Sequence, residues 1–245
     1  MIKKLVPNQL KSKLRSFFLR GDNVECVTCN KKFITFLPNG IPPRANALCP
    51  NCGSLERTRI YWKYLLSLPD FFTSPKKILH TAPENILYQK FSSVPNFEYF
   101  PTDLFEPGYS YPKGTINMDI TNIDFPDNHF DFILSSHVLE HVPDDMKAMK
   151  EFYRVLSPSG FGLIQVPLDV KRETTYEDFS ITDPEERAKA FGQFDHVRVY
   201  GMDYKNRLED AGFKVEIIDF IPELSENDKF KYGFGTGEAL YIVTK

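Results

Sequence analysis

From Lys76 onward the sequence alternates between strand-like and helix-like segments, and this alternation restricts the fold more than any other feature. "KKILHTA" reads as a buried strand and "NILYQKFSSV" as a helix. "FEYFPTDLF" and "TINMDIT" follow as a second strand and a short third, and "FDFILSS" as a fourth. "DDMKAMKEFYRVL" is an amphipathic helix, with Met146, Met149, Phe152, Tyr153 and Leu156 on its inner face. "SPSG" then turns the chain into "FGLIQVP", a fifth strand. After a long polar stretch, the helix "GMDYKNRLEDAGF" stops at Gly212, and "KVEIIDF" and "ALYIVTK" close the series as strands. Strands alternating with helices of this length predict an α/β domain with a doubly wound, mostly parallel sheet.

Ligands of such sheets sit beyond the carboxyl ends of the strands, near the point where the strand order reverses. The residues at those ends are His80 to Glu84, Asp103, Asp119, Ser135 to His141, and Pro167 with Asp169. A carboxylate at the second strand end offers two acceptor oxygens to the two hydroxyls of a ribose. One beside the third strand can accept from an exocyclic adenine amine. The set fits an adenosine cofactor. The first turn, "HTAPE", contains no glycine, although many cofactor-cradling turns are glycine-rich.

All four cysteines fall in "CVTCNKKFITFLPNGIPPRANALCPNC". Cys26 and Cys29 form one C-x2-C pair and Cys49 and Cys52 the other, the spacing of a zinc ribbon. Two residues between thiolates let one tight turn offer both sulfurs to one ion. Gly53 suits a turn that needs a positive φ. With four protein ligands the ion has no open position, so its expected role is structural. Two disulfides or four buried thiols are the alternatives, the disulfides being disfavoured in a chain without a recognisable secretory signal. The expected order is a basic segment over 1–22, the ribbon over 23–56, a linking helix over 57–75 and the α/β domain over 76–245.

Charge separates along the chain in the same way. Residues 1–68 hold twelve Lys/Arg against three Asp/Glu, whereas the remainder holds eighteen against thirty. A basic module can meet RNA, an anionic glycan, a membrane surface or its own acidic domain. "NQLKSKLRSFFLR" suggests a short amphipathic helix bearing Leu10, Leu14, Phe17 and Phe18, expected to pack on the main domain. No apolar run reaches the length of a membrane span, and a cytoplasmic location is expected.

Residues 118–167, "MDITNIDFPDNHFDFILSSHVLEHVPDDMKAMKEFYRVLSPSGFGLIQVP", resemble in order the central half of the small-molecule-type class I S-adenosylmethionine-dependent methyltransferases. "DHVRVYGMDYKNRLEDAGF" resembles their later His-containing segment. The resemblance spans about residues 76–245 and implies a Rossmann-like sheet of seven strands with the last antiparallel. It implies S-adenosylmethionine as cofactor, Asp103 on the ribose, and Asp119 with Ile120 at the adenine. His80, Ala82, Glu84 and Ser136 complete the expected cofactor set. The family's first turn usually runs acid, any, Gly, any, Gly, and here His80, Ala82 and Glu84 hold those places. "HTAPE" resembles glycine-poor "APE" turns in a bacterial branch of the family. We expect Ala82 to permit close approach, Pro83 to fix the turn, and Glu84 to bind the cofactor's ammonium group. A ribbon ahead of such a domain also resembles some ribosomal-RNA guanine methyltransferases.

"HVLEH" matches the H-x-x-E-H pattern of zinc peptidases, with His137 and His141 four residues apart. Its position at a strand end, with no third ligand evident in the sequence, argues against that activity. His137 is instead expected to line the transfer pocket and His141 to pack or cap. Asp195 and His196 place a carboxylate beside an imidazole, either a candidate base for the acceptor or a pair that fixes the long segment to the domain. Residues 171–192 are expected to form a helical flap. The leading expectation is a methyltransferase acting on a small molecule or glycan precursor. RNA methylation through the ribbon is the second, and an inactive zinc-ribbon binding protein the third.

Overall fold

The computed structural model describes residues 8–40, 42–219, 221–235 and 238–245, and the chain divides into two compact units. The first gathers the described residues up to Ser74 and those from Asp219 to Ala239; the second gathers Pro75–Ile218 and Leu240–Lys245.

The first unit begins with α1 (Asn8–Phe18), on which Leu14, Phe17 and Phe18 are exposed. β1 (Arg20–Cys26) pairs antiparallel with β2 (Lys31–Phe33), and β3 (Leu37–Asn39) pairs antiparallel with β4 (Arg44–Leu48). α2 (Glu56–Ser67) follows and buries Ile60, Tyr61 and Leu65. The helix Glu226–Tyr232 belongs to this unit, so the stretch 76–245 is not one continuous domain. Arg59 gives the physical reason. Its guanidinium is fully buried and needs carbonyl partners, which it finds at Ser54, Ala47, Tyr232 and Gly233. Gly233 has φ 60°, and a Cβ there would lie 2.5 Å from the Phe36 ring, so only glycine lets the segment approach.

The second unit runs β5 (Lys76–Thr81), α3 (Asn85–Ser92), β6 (Phe97–Asp103), β7 (Ile116–Asn117) and β8 (Phe130–Ser136). It continues with α4 (Asp145–Val155), β9 (Leu156–Gln165), β10 (Tyr176–Glu177), α5 (Pro184–Phe191) and β11 (Arg198–Val199). α6 (Tyr204–Asp210), β12 (Lys214–Ile218) and, after the excursion into the first unit, β13 (Leu240–Thr244) complete it. Seven strands form one sheet in the order β12-β13-β9-β8-β5-β6-β7, with β13 antiparallel to both neighbours and the other pairs parallel. The order reverses between β5 and β8, which opens the ligand position of a doubly wound sheet.

Alternation along the strands sorts the core. Leu79, Ile133 and Ile164 join Met149, Phe152 and Leu208 in one buried cluster. His80 and Phe132, one residue out of phase, meet Phe91 of α3. "SPSG" does not end a helix before a strand but interrupts β9 itself: Phe130 pairs with Leu156 and Phe132 with Phe161, so the intervening residues bulge. The expected flap is helical only at α5. There Asp183 accepts from the amides of Glu185 and Glu186, Pro184 opens the helix, and Gly192 at φ 86° closes it.

Candidate functional site

A cavity of about 730 Å³ opens at the carboxyl ends of β5, β6 and β8, within the range of small-ligand sites. Ala82, Asp103, Asp119, Ile120, His137 and Asp195, all expected at the site from sequence, line it. His80, Glu84, Ser136 and His196 are outside the lining. For His80 the pleat decides: neighbouring side chains of β5 face opposite sides, so Thr81 reaches the cavity and His80 turns under α3.

His80 is fully buried, with Nδ1 2.9 Å from the Tyr99 hydroxyl and Nε2 3.2 Å from Glu84 Oε2. A carboxylate only accepts, so Nε2 carries the proton and Tyr99 donates to Nδ1. Burial, reinforced by the Glu84 charge, keeps the Tyr99 phenol protonated by raising its pKa well above the ordinary value. Glu84 therefore braces the turn through His80; both were expected among the cofactor ligands, and neither lines the cavity.

Two non-glycine residues at the cavity hold left-handed backbone: Ala82 at φ 45° and His137 at φ 56°. Ala82 thus takes the conformation for which a glycine is usual. Its amide donates to the Thr102 carbonyl, and Thr81 Oγ1 donates to Ser135 Oγ across the β5–β8 junction. These bonds hold the turn in place without glycine.

Asp103 ends β6, and burial raises its carboxyl above the ordinary aspartate value. A desolvated carboxylate of this kind gains most from ligand hydroxyl donors. Asp119 caps its own turn, with Oδ1 accepting from the Thr121 amide, and presents Ile120, which is 7% exposed. Glu106, Asp144 and Asp195 add to the carboxylates of the lining, against Arg187. A surplus of negative charge suits a cationic ligand.

At the far wall His137 Nδ1 is 3.4 Å from Glu140 Oε1, and His141 Nδ1 is 3.4 Å from Asp195 Oδ2. The His141 and His196 rings meet edge to face at 4.7 Å. Burial lowers the His196 pKa, while the Glu140 and Asp195 charges and the Phe191 carbonyl oppose that shift. Arg198, buried beneath, donates to the carbonyls of Leu139 and Pro143 and to Glu177. It locks the 139–143 turn that carries Glu140 and His141.

Several wall residues had no sequence signal. Tyr111 lies in the aperiodic loop after β6, where its ring stacks on Phe105 at 4.2 Å. Arg187 lies in the flap helix, and His141, expected only to pack or cap, faces the cavity. Sidedness within "HVLEH" would have marked His141, but the segment forms a three-residue 3-10 turn, Leu139–His141, and not a long helix.

In the first unit, one sulfur from each of Cys26, Cys29, Cys49 and Cys52 lies within 4.8 Å of the others. Both knuckles close alike: the Asn30 amide donates to the Cys26 carbonyl and the Gly53 amide to the Cys49 carbonyl, with Asn30 at φ 55° and Gly53 at φ 74°. The Cys26–Cys52 and Cys29–Cys49 sulfurs are 3.7 and 3.8 Å apart, too far for bonds between them, and all four thiols are free. The donor set fits a tetrahedral four-thiolate zinc site.

Residues 98–164, from β6 into β9, match the family model of a methyltransferase domain. The ubiquinone/menaquinone biosynthesis C-methyltransferase UbiE of Rickettsia bellii (strain RML369-C) is 32% identical over 104 residues, covering 42% of this chain and 38% of that protein. The demethylmenaquinone methyltransferase of Geobacillus sp. (strain WCH70) is 47% identical over 45 residues, covering 18% of this chain and 19% of that protein. The chain thus spans less than half the length of these curated relatives. An S-adenosylmethionine-dependent methyltransferase from Mesorhizobium loti superposes with a TM-score of 0.51 at 15% identity, covering 75% of this chain and 97% of that one. The second unit has the methyltransferase fold. The [4+2]-cyclase SpnF shares this fold, with a TM-score of 0.51 at 14% identity over 77% of this chain and 82% of that one. The fold therefore hosts more than one reaction.

Proposed function

We propose that the chain is an S-adenosylmethionine-dependent methyltransferase of a small-molecule or glycan-precursor acceptor, with a structural zinc ion in its ribbon. The observation that carries the reading is Asp103, a desolvated carboxylate at the end of β6 inside a strand-end cavity rich in negative charge. Asp103 takes the ribose hydroxyls, while Ile120 and Asp119 border the adenine. The sulfonium and ammonium groups match the negative lining. With the cofactor bound, an acceptor nucleophile would attack the sulfonium methyl carbon in line as its bond to sulfur breaks and S-adenosylhomocysteine leaves, and the protein's main contribution is to hold both partners in register. His137, on the cavity wall, is the candidate base for the acceptor's proton. The relatives named for C-methylation in quinone biosynthesis support a small organic acceptor. Calorimetry with S-adenosylhomocysteine tests the reading, because Asp103→Ala removes charge-assisted hydrogen bonds worth about 1.5–3 kcal/mol each. The expected loss of affinity is tenfold or more. Failure of the parent protein to bind S-adenosylhomocysteine or S-adenosylmethionine would leave an inactive ribbon-bearing protein.

RNA methylation is the second reading. Arg20, Lys31 and Lys32, with Asp22, border a recess of about 340 Å³ on the first unit. The segment 219–239 adds five Asp/Glu and two Lys to that unit, so its basic excess is smaller than its first residues suggest. Labelled methyl transfer to RNA, with binding that weakens steeply with salt, would favour this reading over a small acceptor.

A further inference from the structure

Glu140, His141 and His196 come together from two distant parts of the second unit. One ligand atom of each lies within 4.8 Å of the other two. The set differs from the pair that "HVLEH" suggests in sequence: His137 is not in it, and Glu140 joins His141 and His196 instead. Glu140 is 1% exposed, and its Oε2 is buried with no hydrogen-bond partner among the described residues, while Oε1 faces His137. Leaving a carboxylate oxygen buried in this way is costly unless a cation or donor completes it.

His141 is oriented as a metal-ligating histidine usually is. His141 Nδ1 faces the Asp195 carboxylate, which fixes the proton there and leaves Nε2 as the electron-pair donor. Carboxylates and backbone carbonyls behind ligating histidines are the common outer shell of such sites. The position is set from below by Arg198, which grips the carbonyls flanking Glu140, and by the Val197 amide, which donates to the Glu140 carbonyl.

We propose that Glu140, His141 and His196 bind one divalent first-row transition-metal ion. One carboxylate and two imidazoles form a mixed donor set for ions such as zinc, manganese or iron, and three protein ligands leave coordination positions open. Of the three ligands only His141 lines the cavity, so an ion held by them would border the cavity at His141. Its open positions would take an oxygen of the acceptor, and this role alone rests on the methyltransferase reading. Asp195 and His196 then serve the ion and not as the acceptor's base.

Cobalt(II) titration of the full-length metal-free protein, without cofactor or acceptor, tests the site and reads both metal positions separately. The cysteine site gives intense thiolate-to-cobalt charge-transfer absorption. The second site gives only weak ligand-field bands of nitrogen and oxygen coordination. We expect two equivalents to bind, with the second lost in Glu140→Gln and in His196→Gln while the charge-transfer band persists. Asp195→Asn should weaken the second site by about 10–100-fold, as for other outer-shell partners. Circular dichroism melting establishes that each variant is folded, and His141→Gln replaces any that is not. Saturation at one equivalent, or a second equivalent that survives in every folded variant, overturns the proposal and leaves the cluster a hydrogen-bonding hub. Because no cofactor enters the titration, a failure to bind S-adenosylmethionine would leave this result intact.

Discussion

Oε2 of Glu84 lies 3.2 Å from Nε2 of His80, joining the residue that opens α3 to a fully buried imidazole in β5. This contact gives the glycine-free turn a structural role for its acid. Glu84→Gly should destabilise the protein by about 1–3 kcal/mol, because the buried nitrogen loses its acceptor. Glu84→Gln keeps an oxygen there and should cost less. Neither should weaken S-adenosylhomocysteine binding by the tenfold that a lost 1.4 kcal/mol contact implies. Denaturant unfolding and calorimetry on the same samples check this. A Gln variant of parental stability with tenfold weaker binding would instead place the carboxylate on the ligand's ammonium.

Ala82 sits at φ 45°, where an L-residue is strained by roughly 1–2 kcal/mol and glycine is not. Ala82→Gly should therefore leave stability unchanged or raise it by up to about 1 kcal/mol, against the usual cost of adding glycine. Ala82→Val should lower it. Thermal melts of the three proteins decide, and a melting point lowered by the glycine would mean that the backbone here is not strained.

Asp103 has a raised folded-state pKa through burial, so ionising it costs more in the folded than in the unfolded chain. Its contribution to stability is full below the unfolded aspartate pKa and is lost as pH rises through the folded value. At neutral pH Asp103→Asn should therefore be at least as stable as the parent, and the difference should vanish below the ordinary aspartate range. Cofactor affinity should move the other way, falling in the variant and, in the parent, as pH drops toward the raised pKa. Unfolding and binding curves across acidic pH give both readings; a variant less stable than the parent at neutral pH would count against desolvation.

Zinc in the ribbon should be lost when one ligand is removed. Cys49→Ser should release one equivalent, measured by elemental analysis, and lower the melting point of the first unit. A strong chelator should do the same to the parent. Unchanged zinc content would exclude Cys49 as a ligand.

Arg198 donates to three backbone carbonyls, those of Leu139, Val142 and Pro143, and to Glu177 from a fully buried position. Arg198→Met strands these acceptors and should cost about 3–5 kcal/mol, the range for breaking a buried pair from one side. Denaturant titration reads the loss. A cost below 1 kcal/mol would mean that water replaces the guanidinium freely.

Local features were legible in the sequence where a local cause sufficed. The two knuckles depend on spacing within a few residues, and Gly53 takes the positive φ its turn requires. β8 occupies the expected "FDFILSS", since a run buried on both sheet faces is mostly apolar. Asp103, Asp119, Ile120 and His137 reach the cavity because strand ends in a doubly wound sheet converge there. No helix among the described residues is long and apolar enough to cross a membrane.

Tertiary structure decided what depends on residues far apart in the chain. No pattern around 219–239 reveals that this segment joins the first unit, because the cause is the need of Arg59 for carbonyls more than 170 residues away. His80 and Thr81 are neighbours in sequence, yet the pleat sends one beneath α3 and the other to the cavity. Glu140 and His196 meet only because Arg198 and the Val197 amide bind the late segment to the 139–143 turn. Periodicity and turn chemistry act over a few residues and so fix elements and their ends. A buried charge takes its partners wherever the folded chain supplies them, and that choice is settled only by packing.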